Sequence, residues 1–259
     1  MTPTVIVHRD QQTLAAAVAA RLVTRLVDVQ AARRTASVVV TGGGMGIGTL
    51  AALAAMPARD AVDWRNLDIW WGDERFLPSG HADRNETQAR EALFDHVPVD
   101  PDRMHAMPPS DGERGNDPEA AAELYAKALE VATLPEDHGN VPSFDVLMLG
   151  VGPDGHVASL FPEKPALHEA QRSVVAVRGA PKPPPTRISL TLPAIRSARE
   201  VWLIVAGSEK AAAVRMALSG AGPMQIPAAG AIGRTRTLWL LDRAAAAEVP
   251  PSLARLASP

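Results

Sequence analysis

The sequence predicts an α/β fold: a mostly parallel sheet with helices on both faces, Rossmann-like, with room for a small inserted subregion. Short apolar runs rich in β-branched residues, such as Ser37–Thr41 and Val201–Ala206, alternate with Ala- and Leu-rich segments of helical periodicity. These two runs lack polar alternation, which is typical of parallel strands that are buried on both faces. Strands that alternate with helices indicate right-handed β-α-β crossovers.

In the first half of the chain, each predicted strand is followed by a predicted helix. Asn85, with Gln88 three residues later, has the pattern of a helix capping box. Pro57 marks the end of the second helix, because the residue before a proline disfavours helical backbone. The predicted strands are Thr4–His8, Ser37–Thr41 and Leu67–Trp71, and the predicted helices are Gln12–Arg33, Gly46–Met56, Asn85–Phe94 and Pro118–Leu129.

The second half continues the same pattern. The predicted strands are Phe144–Leu149, Ser173–Val177, Ile188–Leu192, Val201–Ala206 and Thr237–Leu241, with a helix at Glu209–Leu218 and a helical or frayed end at Ala244–Leu256. Val97–Asp117 is a loop-rich excursion, and Ala180–Thr186 is a rigid, proline-rich connector. Because similar strands follow both segments, we expect one α/β domain over residues 1–259.

Composition excludes several classes of function. The formal net charge is −3, from 26 basic and 29 acidic residues, which argues against a broad nucleic-acid or anionic-membrane surface. The absence of cysteine excludes disulfides, thiolate nucleophiles and zinc–thiolate sites. Residues 1–10 lack the features of a signal peptide, and the uncharged stretch Thr35–Ala58 is interrupted by Gly42–Gly48. We therefore expect a cytoplasmic protein without membrane or nucleic-acid partners.

Polar or glycine-rich turns follow four of the predicted strands. They are Gly42–Gly48, Gly72–Arg75, Gly150–His156 and Gly207–Lys210. Ligands of open α/β sheets bind beyond the carboxyl ends of the strands, where such turns meet. The four turns therefore predict a common ligand site at one edge of the sheet.

The glycine loop is typical of a phosphate cradle. The backbone of Gly42, Gly43 and Gly44 can approach an anion at the start of a helix. Thr49-Leu50 stands where a nucleotide-binding P-loop requires Lys-Ser/Thr, and the glycine spacing does not match GxGxxG, so ATP and NAD are disfavoured. The alternative interpretation is a tight strand-to-helix turn without a ligand.

Candidate chemical groups lie in the remaining turns. His156 is a candidate general base, since imidazole titrates near neutral pH, although a capping or core histidine is the alternative. Asp73 and Arg75 can take a proton and hold an oxyanion, or form a surface ion pair. Arg187 and Lys210 can add positive charge to a phosphate pocket or remain solvated. The other six histidines show no HxH or HExxH spacing, so no metal site is predicted.

Taken together, these segments resemble the glucosamine-6-phosphate isomerase/6-phosphogluconolactonase family over about residues 5–245. The matching segments are Thr41-Gly42-Gly43, Trp71-Gly72-Asp73-Glu74-Arg75, His81-x-Asp83-x-Asn85, Gly150–Pro162 (GVGPDGHVASLFP), Arg187-Ile-Ser-Leu-Thr and Gly207-x-x-Lys210. Arg84, where the family often has Ser, and the triple proline at 183–185 are departures from the common pattern.

The resemblance implies the phosphosugar isomerase/deaminase type of fold and a cofactor-free hydrolysis. The expected reaction opens 6-phospho-D-glucono-1,5-lactone to 6-phosphogluconate, the second step of the oxidative pentose phosphate pathway. His156 would be the base that activates water, and Asp73 and Arg75 would line the sugar end of the pocket. The expected phosphate ligands are Gly42, Gly43, Gly44, Arg187 and Lys210, with Asn85 supporting the pocket.

Three rival functions remain open at this point. The amino-sugar deaminase branch of the family has an aromatic residue after its Asp-Glu pair, whereas Arg75 follows that pair here. A phosphosugar sensor would keep Arg187 and Lys210 without needing His156. A nucleotide-binding oxidoreductase is disfavoured by the glycine spacing. The sequence does not distinguish a monomer from a dimer, a δ- from a γ-lactone, or the oxyanion donor, and whether Asp73 orients His156 also stays open.

Overall fold

The computed structural model describes residues 3–137 and 139–257 and contains eleven strands and seven α-helices within them. The strands are β1 (Thr4–His8), β2 (Ala36–Val40), β3 (Leu67–Trp71), β4 (Asp73–Arg75), β5 (Met104–His105), β6 (Val146–Gly150), β7 (Val174–Val177), β8 (Arg187–Leu190), β9 (Glu200–Val205), β10 (Arg236–Asp242) and β11 (Ala254–Leu256). The helices are α1 (Gln11–Arg33), α2 (Gly43–Ala54), α3 (Asn85–Ala92), α4 (Pro118–Val131), α5 (Leu192–Ile195), α6 (Ala211–Leu218) and α7 (Pro227–Gly230).

Eight strands form a parallel sheet, which confirms the predicted fold class. Their spatial order is β11-β1-β10-β9-β6-β2-β3-β5, and every pairing is parallel. From β2 the chain proceeds to β3 on one side, whereas from β6 it proceeds to β9 on the other. The topological switch point, where open α/β sheets bind their ligands, therefore lies between β2 and β6.

One continuous apolar core holds this sheet and its helices together. Strands β2 and β9 are buried almost throughout, as their lack of alternation predicted, and β6 between them is buried to the same extent. Helix α1 buries one face on the sheet, with apolar side chains three or four residues apart at Leu14, Val18, Leu22, Leu26 and Val29. No helix within the described ranges is long and apolar enough to cross a lipid bilayer.

A second, smaller sheet was not predicted. Strands β7 and β8 occur close to their predicted positions, but they pair antiparallel with each other, and β8 also pairs antiparallel with β4. The connector at 178–186 is too short to hold the crossover helix that a parallel pair would need, so the chain turns back on itself. Asp73–Arg75, interpreted as part of a turn, is the third strand of this sheet.

Gly72 joins the two sheets. Its N–H donates to the carbonyl oxygen of Val40 in β2, at 3.2 Å, and its carbonyl oxygen accepts from the N–H of Leu190 in β8, at 2.9 Å. One residue therefore separates β3 of the large sheet from β4 of the small one.

Three further segments differ from the predictions. The end of the chain is not helical over Ala244–Leu256, because it makes turns and then adds β11 in parallel to β1 at the sheet edge. The Val97–Asp117 excursion contributes β5, which pairs with β3 at the opposite edge. Helix α2 begins at Gly43 rather than Gly46, so the glycine loop itself forms the first helical turn.

Candidate active site

A cavity of about 270 Å³ opens at the carboxyl edge of the large sheet, at the switch point between β2 and β6. All nine candidate residues from the sequence line it: Gly42, Gly43, Gly44, Asp73, Arg75, Asn85, His156, Arg187 and Lys210. Larger cavities of 560 and 670 Å³ lie elsewhere, but their walls hold ion pairs such as Lys127–Glu130 and Arg103–Asp68. The 270 Å³ cavity is the one that gathers the residues predicted from the sequence.

Gly42 of the glycine loop lies in close contact with the side chain of Asn85, and both residues line the cavity. Gly42 is the N-cap of α2, and a Cβ atom there would lie 1.9 Å from Asn85 Oδ1, so only glycine allows the close approach. Asn85 is buried, and its side-chain amide donates to the backbone oxygen of Asp73, at 2.8 Å. The first residues of α2 line the cavity, and a helix N-terminus favours an anion.

His156 lies against the backbone of the turn that carries it. A Cβ atom on Gly152 would approach the imidazole to 2.1 Å, and the N–H of Gly152 donates to the carbonyl oxygen of His156, at 3.0 Å. On the ring, Nδ1 lies 2.5 Å from Oδ1 of Asp154. Burial alone would raise the pKa of Asp154, but its hydrogen bonds to His156 and the charge of the imidazole hold that pKa below its ordinary value. Asp154 thus engages Nδ1 as a carboxylate and leaves Nε2 as the nitrogen that can take a proton.

Asp73 has different partners. Its Oδ2 accepts from the hydroxyl of Ser159, at 2.7 Å, and its Oδ1 lies 3.4 Å from the side-chain nitrogen of Asn85. Among the described residues, the carboxylate in contact with His156 is that of Asp154 and not that of Asp73. Asp154 and Ser159 were missed as site residues, although both stand in the motif around His156.

Two arginines lie opposite each other on neighbouring strands of the small sheet. Arg75 in β4 is the direct partner of Arg187 in β8, and like charges at such positions repel. Burial lowers the pKa of Arg187, the carboxylate of Asp73 opposes that effect, and the charge of Arg75 adds to it. With Lys182 and Lys210, four cationic side chains line the cavity against the single carboxylate of Asp73. This charge balance suits a dianionic phosphate.

The proline-rich connector wraps around Arg187. The Arg187 guanidinium donates from Nε to the carbonyl oxygen of Pro184, at 3.2 Å, and from Nη2 to those of Lys182 and Pro183, at 3.0 and 3.3 Å. These bonds bring Lys182 to the cavity wall, a placement that the sequence analysis did not anticipate. The ring of Phe161 contacts both Arg187 and His156. Its centre lies 5.9 Å from the guanidinium carbon of Arg187 and 4.6 Å from the centre of the His156 ring.

The capping box predicted at Asn85 is wrong. Helix α3 begins at Asn85 itself, its N-cap is Arg84, and no side chain of the cap accepts a helix N–H. The buried carboxylate of Glu74 fulfils that role from β4, accepting from the N–H of Asn85 at 2.6 Å and of Glu86 at 2.9 Å. The Asn85 side chain is consequently available to contact Asp73.

Within residues 3–137 and 139–257, no three His, Asp or Glu side chains are grouped as a metal ion would require. His138, one of the histidines considered for metal spacing, lies outside these ranges.

Comparisons with known proteins identify the same family as the sequence motifs. The profile of the family described as glucosamine-6-phosphate isomerases/6-phosphogluconolactonase matches residues 9–239. A 6-phosphogluconolactonase from Streptomyces coelicolor is 66% identical over 252 residues, covering 97% of either chain. Another from Mycobacterium tuberculosis is 48% identical over 250 residues, covering 96% of this chain and all of the relative.

Solved structures show the same fold. A 6-phosphogluconolactonase from Trypanosoma brucei superposes with a TM-score of 0.83 at 28% identity, covering 96% of this chain and 99% of that one. A monomeric glucosamine-6-phosphate deaminase superposes with a TM-score of 0.75 at 20% identity, which shows likeness of fold alone. The chain belongs to the glucosamine-6-phosphate isomerase/6-phosphogluconolactonase family.

Proposed function

We propose that the chain hydrolyses 6-phospho-D-glucono-1,5-lactone to 6-phosphogluconate, the second step of the oxidative pentose phosphate pathway. The pairing of His156 with Asp154 at the wall of a strongly cationic cavity carries this proposal. The lactonase relative that is 66% identical along almost the whole chain supports the same reaction. A δ-lactone is an activated ester, so a base and a charge stabiliser suffice for its hydrolysis.

In the proposed mechanism, His156 acts as general base. Its Nε2 takes a proton from water as the water oxygen bonds to the lactone carbonyl carbon, and the carbonyl oxygen becomes an oxyanion. Collapse of this tetrahedral intermediate breaks the bond to the ring oxygen, which receives the proton from the imidazolium. Asp154 holds Nδ1–H throughout, so that the ring keeps its tautomer and orientation.

Substrate orientation depends on the phosphate. We assign the phosphate to the N-terminus of α2 at Gly42–Gly44, with Arg187 and Lys210 as its cationic partners. Asp73, fixed by Ser159 and Asn85, is left to accept from a sugar hydroxyl. Arg75, whose Nη1 donates to the carbonyl oxygen of Asp83 at 2.7 Å, is held at the sugar end of the cavity. Phosphate binding remote from the reacting carbon then fixes the geometry of attack.

We further propose that residues 1–259 act as one domain in the cytoplasm, on a small phosphosugar lactone and without cofactor, membrane or nucleic-acid partner. The apolar core supports the single domain, because it is continuous from Val5 in β1 to Leu241 in β10.

The first experiment is hydrolysis of freshly generated lactone by the wild type, His156→Ala and His168→Ala, with the spontaneous rate subtracted. His168 is exposed and lies outside the cavity, which makes it a matched control. We expect His156→Ala to lower kcat by about 10²–10⁴-fold, the usual contribution of a positioned base, and His168→Ala to leave it unchanged. An inactive wild type would refute the function, whereas an active His156→Ala would refute only the base.

The deaminase reaction is the alternative that the shared fold allows. The same preparations are offered glucosamine-6-phosphate, and ammonia release is measured. Turnover of the amino sugar, without turnover of the lactone, would assign the chain to the deaminase branch.

A further inference from the structure

Arg84 is buried next to the site, one residue before Asn85. Its side chain is 1% exposed, and that of Glu74 is 0% exposed. The Arg84 guanidinium donates from Nη2 to the carbonyl oxygen of Met107, at 2.7 Å, and from Nη1 to that of Leu77, at 3.3 Å. The same Nη2 lies 3.3 Å from the Glu86 carboxylate and 3.8 Å from that of Glu74.

The Glu74 carboxylate accepts hydrogen bonds from backbone N–H groups of two elements, β4 and α3. Its Oε1 accepts from the N–H groups of Arg75 and Asn85, at 2.8 and 2.6 Å, and its Oε2 accepts from that of Glu86, at 2.9 Å. Two of these residues, Arg75 and Asn85, line the cavity, whereas neither Glu74 nor Arg84 does. A single buried carboxylate therefore ties the strand that carries one site residue to the helix that carries the other.

We propose that Glu74 and Arg84 are positioning residues for the lactonase reaction, because the ionised pair holds Arg75 and Asn85 at the cavity. The inference deepens the proposed function and depends on it for its kinetic readout. An ionised carboxylate has enough lone pairs for three N–H donors, and its protonation would convert one of those acceptors to a donor. A buried carboxylate stays ionised only where an opposite charge and hydrogen bonds offset its desolvation.

The electrostatics explain why Arg84 is needed. Burial raises the pKa of Glu74 to about 7, although Arg84 and the three backbone N–H groups act in the opposite direction. The other charged and titratable groups around this carboxylate are Glu86 on α3, Arg187 on β8, Tyr125 on α4, and its neighbours Asp73 and Arg75. Without Arg84, we expect Glu74 to be protonated at neutral pH.

The test compares Arg84→Met, Arg84→Lys, Glu74→Gln and the double variant Glu74→Gln/Arg84→Met. Arg90→Met is the matched control, since Arg90 pairs with the same Glu86 carboxylate at 2.9 Å but is 40% exposed. For each protein, kcat and KM are measured against pH at a temperature well below its Tm.

Because the pKa of Glu74 is about 7 when Arg84 is present, an upward move of the acid limb by about one pH unit should lower kcat of Arg84→Met about fivefold at pH 7, with recovery as the pH rises. Arg84→Lys should lie between this variant and the wild type. Glu74→Gln and the double variant should share one lowered profile that does not recover with pH, because neither contains a group that ionises at this position. Arg90→Met should follow the wild type.

The proposal would be overturned if the pH profile of Arg84→Met kept the wild-type shape and its kcat fell only as far as the loss of folded protein explains. Amide ¹⁵N shifts of Asn85 and Glu86, followed through a pH titration, give a readout without turnover. They should titrate together in the wild type, at higher pH in Arg84→Met and not at all in Glu74→Gln. If the wild type lacks lactonase activity, these shifts still decide whether the pair positions Asn85. If Arg84→Met does not fold, Arg84→Lys and Glu74→Gln provide the comparison.

Discussion

The contact between Asp154 and His156 can be tested by replacing the carboxylate with an amide. In Asp154→Asn, the side chain keeps its size but loses the charge that fixes the Nδ1–H tautomer. Hydrogen bonds to a charged group contribute about 1.5–3 kcal/mol. Asp154 is 39% exposed, so water screens part of this, and about 1–2 kcal/mol is a reasonable magnitude for the orientation of the base.

Since about 1.4 kcal/mol corresponds to a tenfold change in rate, we expect Asp154→Asn to lower kcat by about 5–30-fold, with KM nearly unchanged. Asp154→Ala should lower kcat to the same extent, so that this variant still turns over much faster than His156→Ala. The assay is background-corrected lactone hydrolysis with Asp60→Asn as control, because the Asp60 side chain is 83% exposed. Full kcat in Asp154→Asn, with an unchanged Tm, would show that Asp154 does not orient the base.

Two other substitutions test the cavity walls. Gly42→Ala places a methyl group 1.9 Å from Asn85 Oδ1, and we expect at least a tenfold loss of kcat/KM as the glycine loop moves; near-normal kinetics would show that the loop can shift without cost. Lys182→Met should raise KM by about 3–10-fold and leave kcat nearly unchanged, as expected for a contact made equally in the ground and transition states. Lys164→Met, at an exposed lysine outside the cavity, is its control, and equal KM values for the two variants would exclude Lys182 from substrate binding.

The sequence was sufficient to predict which turns would meet. Parallel strands end at one edge of their sheet, so residues after β2, β3, β6 and β9 were expected together, and Gly42, Asp73, His156 and Lys210 do line one cavity. That expectation needed only the strand pattern and the topology of β-α-β units.

The contacts between the turns were not predictable in the same way. Asp154 meets His156 because the chain reverses at Gly152–Gly155, and Lys182 reaches the cavity because Arg187 binds the connector carbonyls. Both arrangements depend on loop conformation rather than on periodicity. The predicted capping box at Asn85 was wrong for a related reason. The buried carboxylate of Glu74, on strand β4, accepts the N–H at the start of the helix, and this contact is not local in sequence.

Gly72 joins the two sheets, and the residues of the site are divided between these sheets. The base at His156 and the glycine loop belong to the parallel sheet, whereas Arg75, Arg187 and the connector that carries Lys182 belong to the antiparallel one. Residues 178–186 connect β7 and β8 and contact the site through Arg187 and Lys182, whereas the base follows β6 of the other sheet. Exchange of this one hairpin would change the cationic contacts made by Lys182 and Arg187 while His156 and the glycine loop stay on the strands of the other sheet, which makes the hairpin a starting point for redesigning substrate choice.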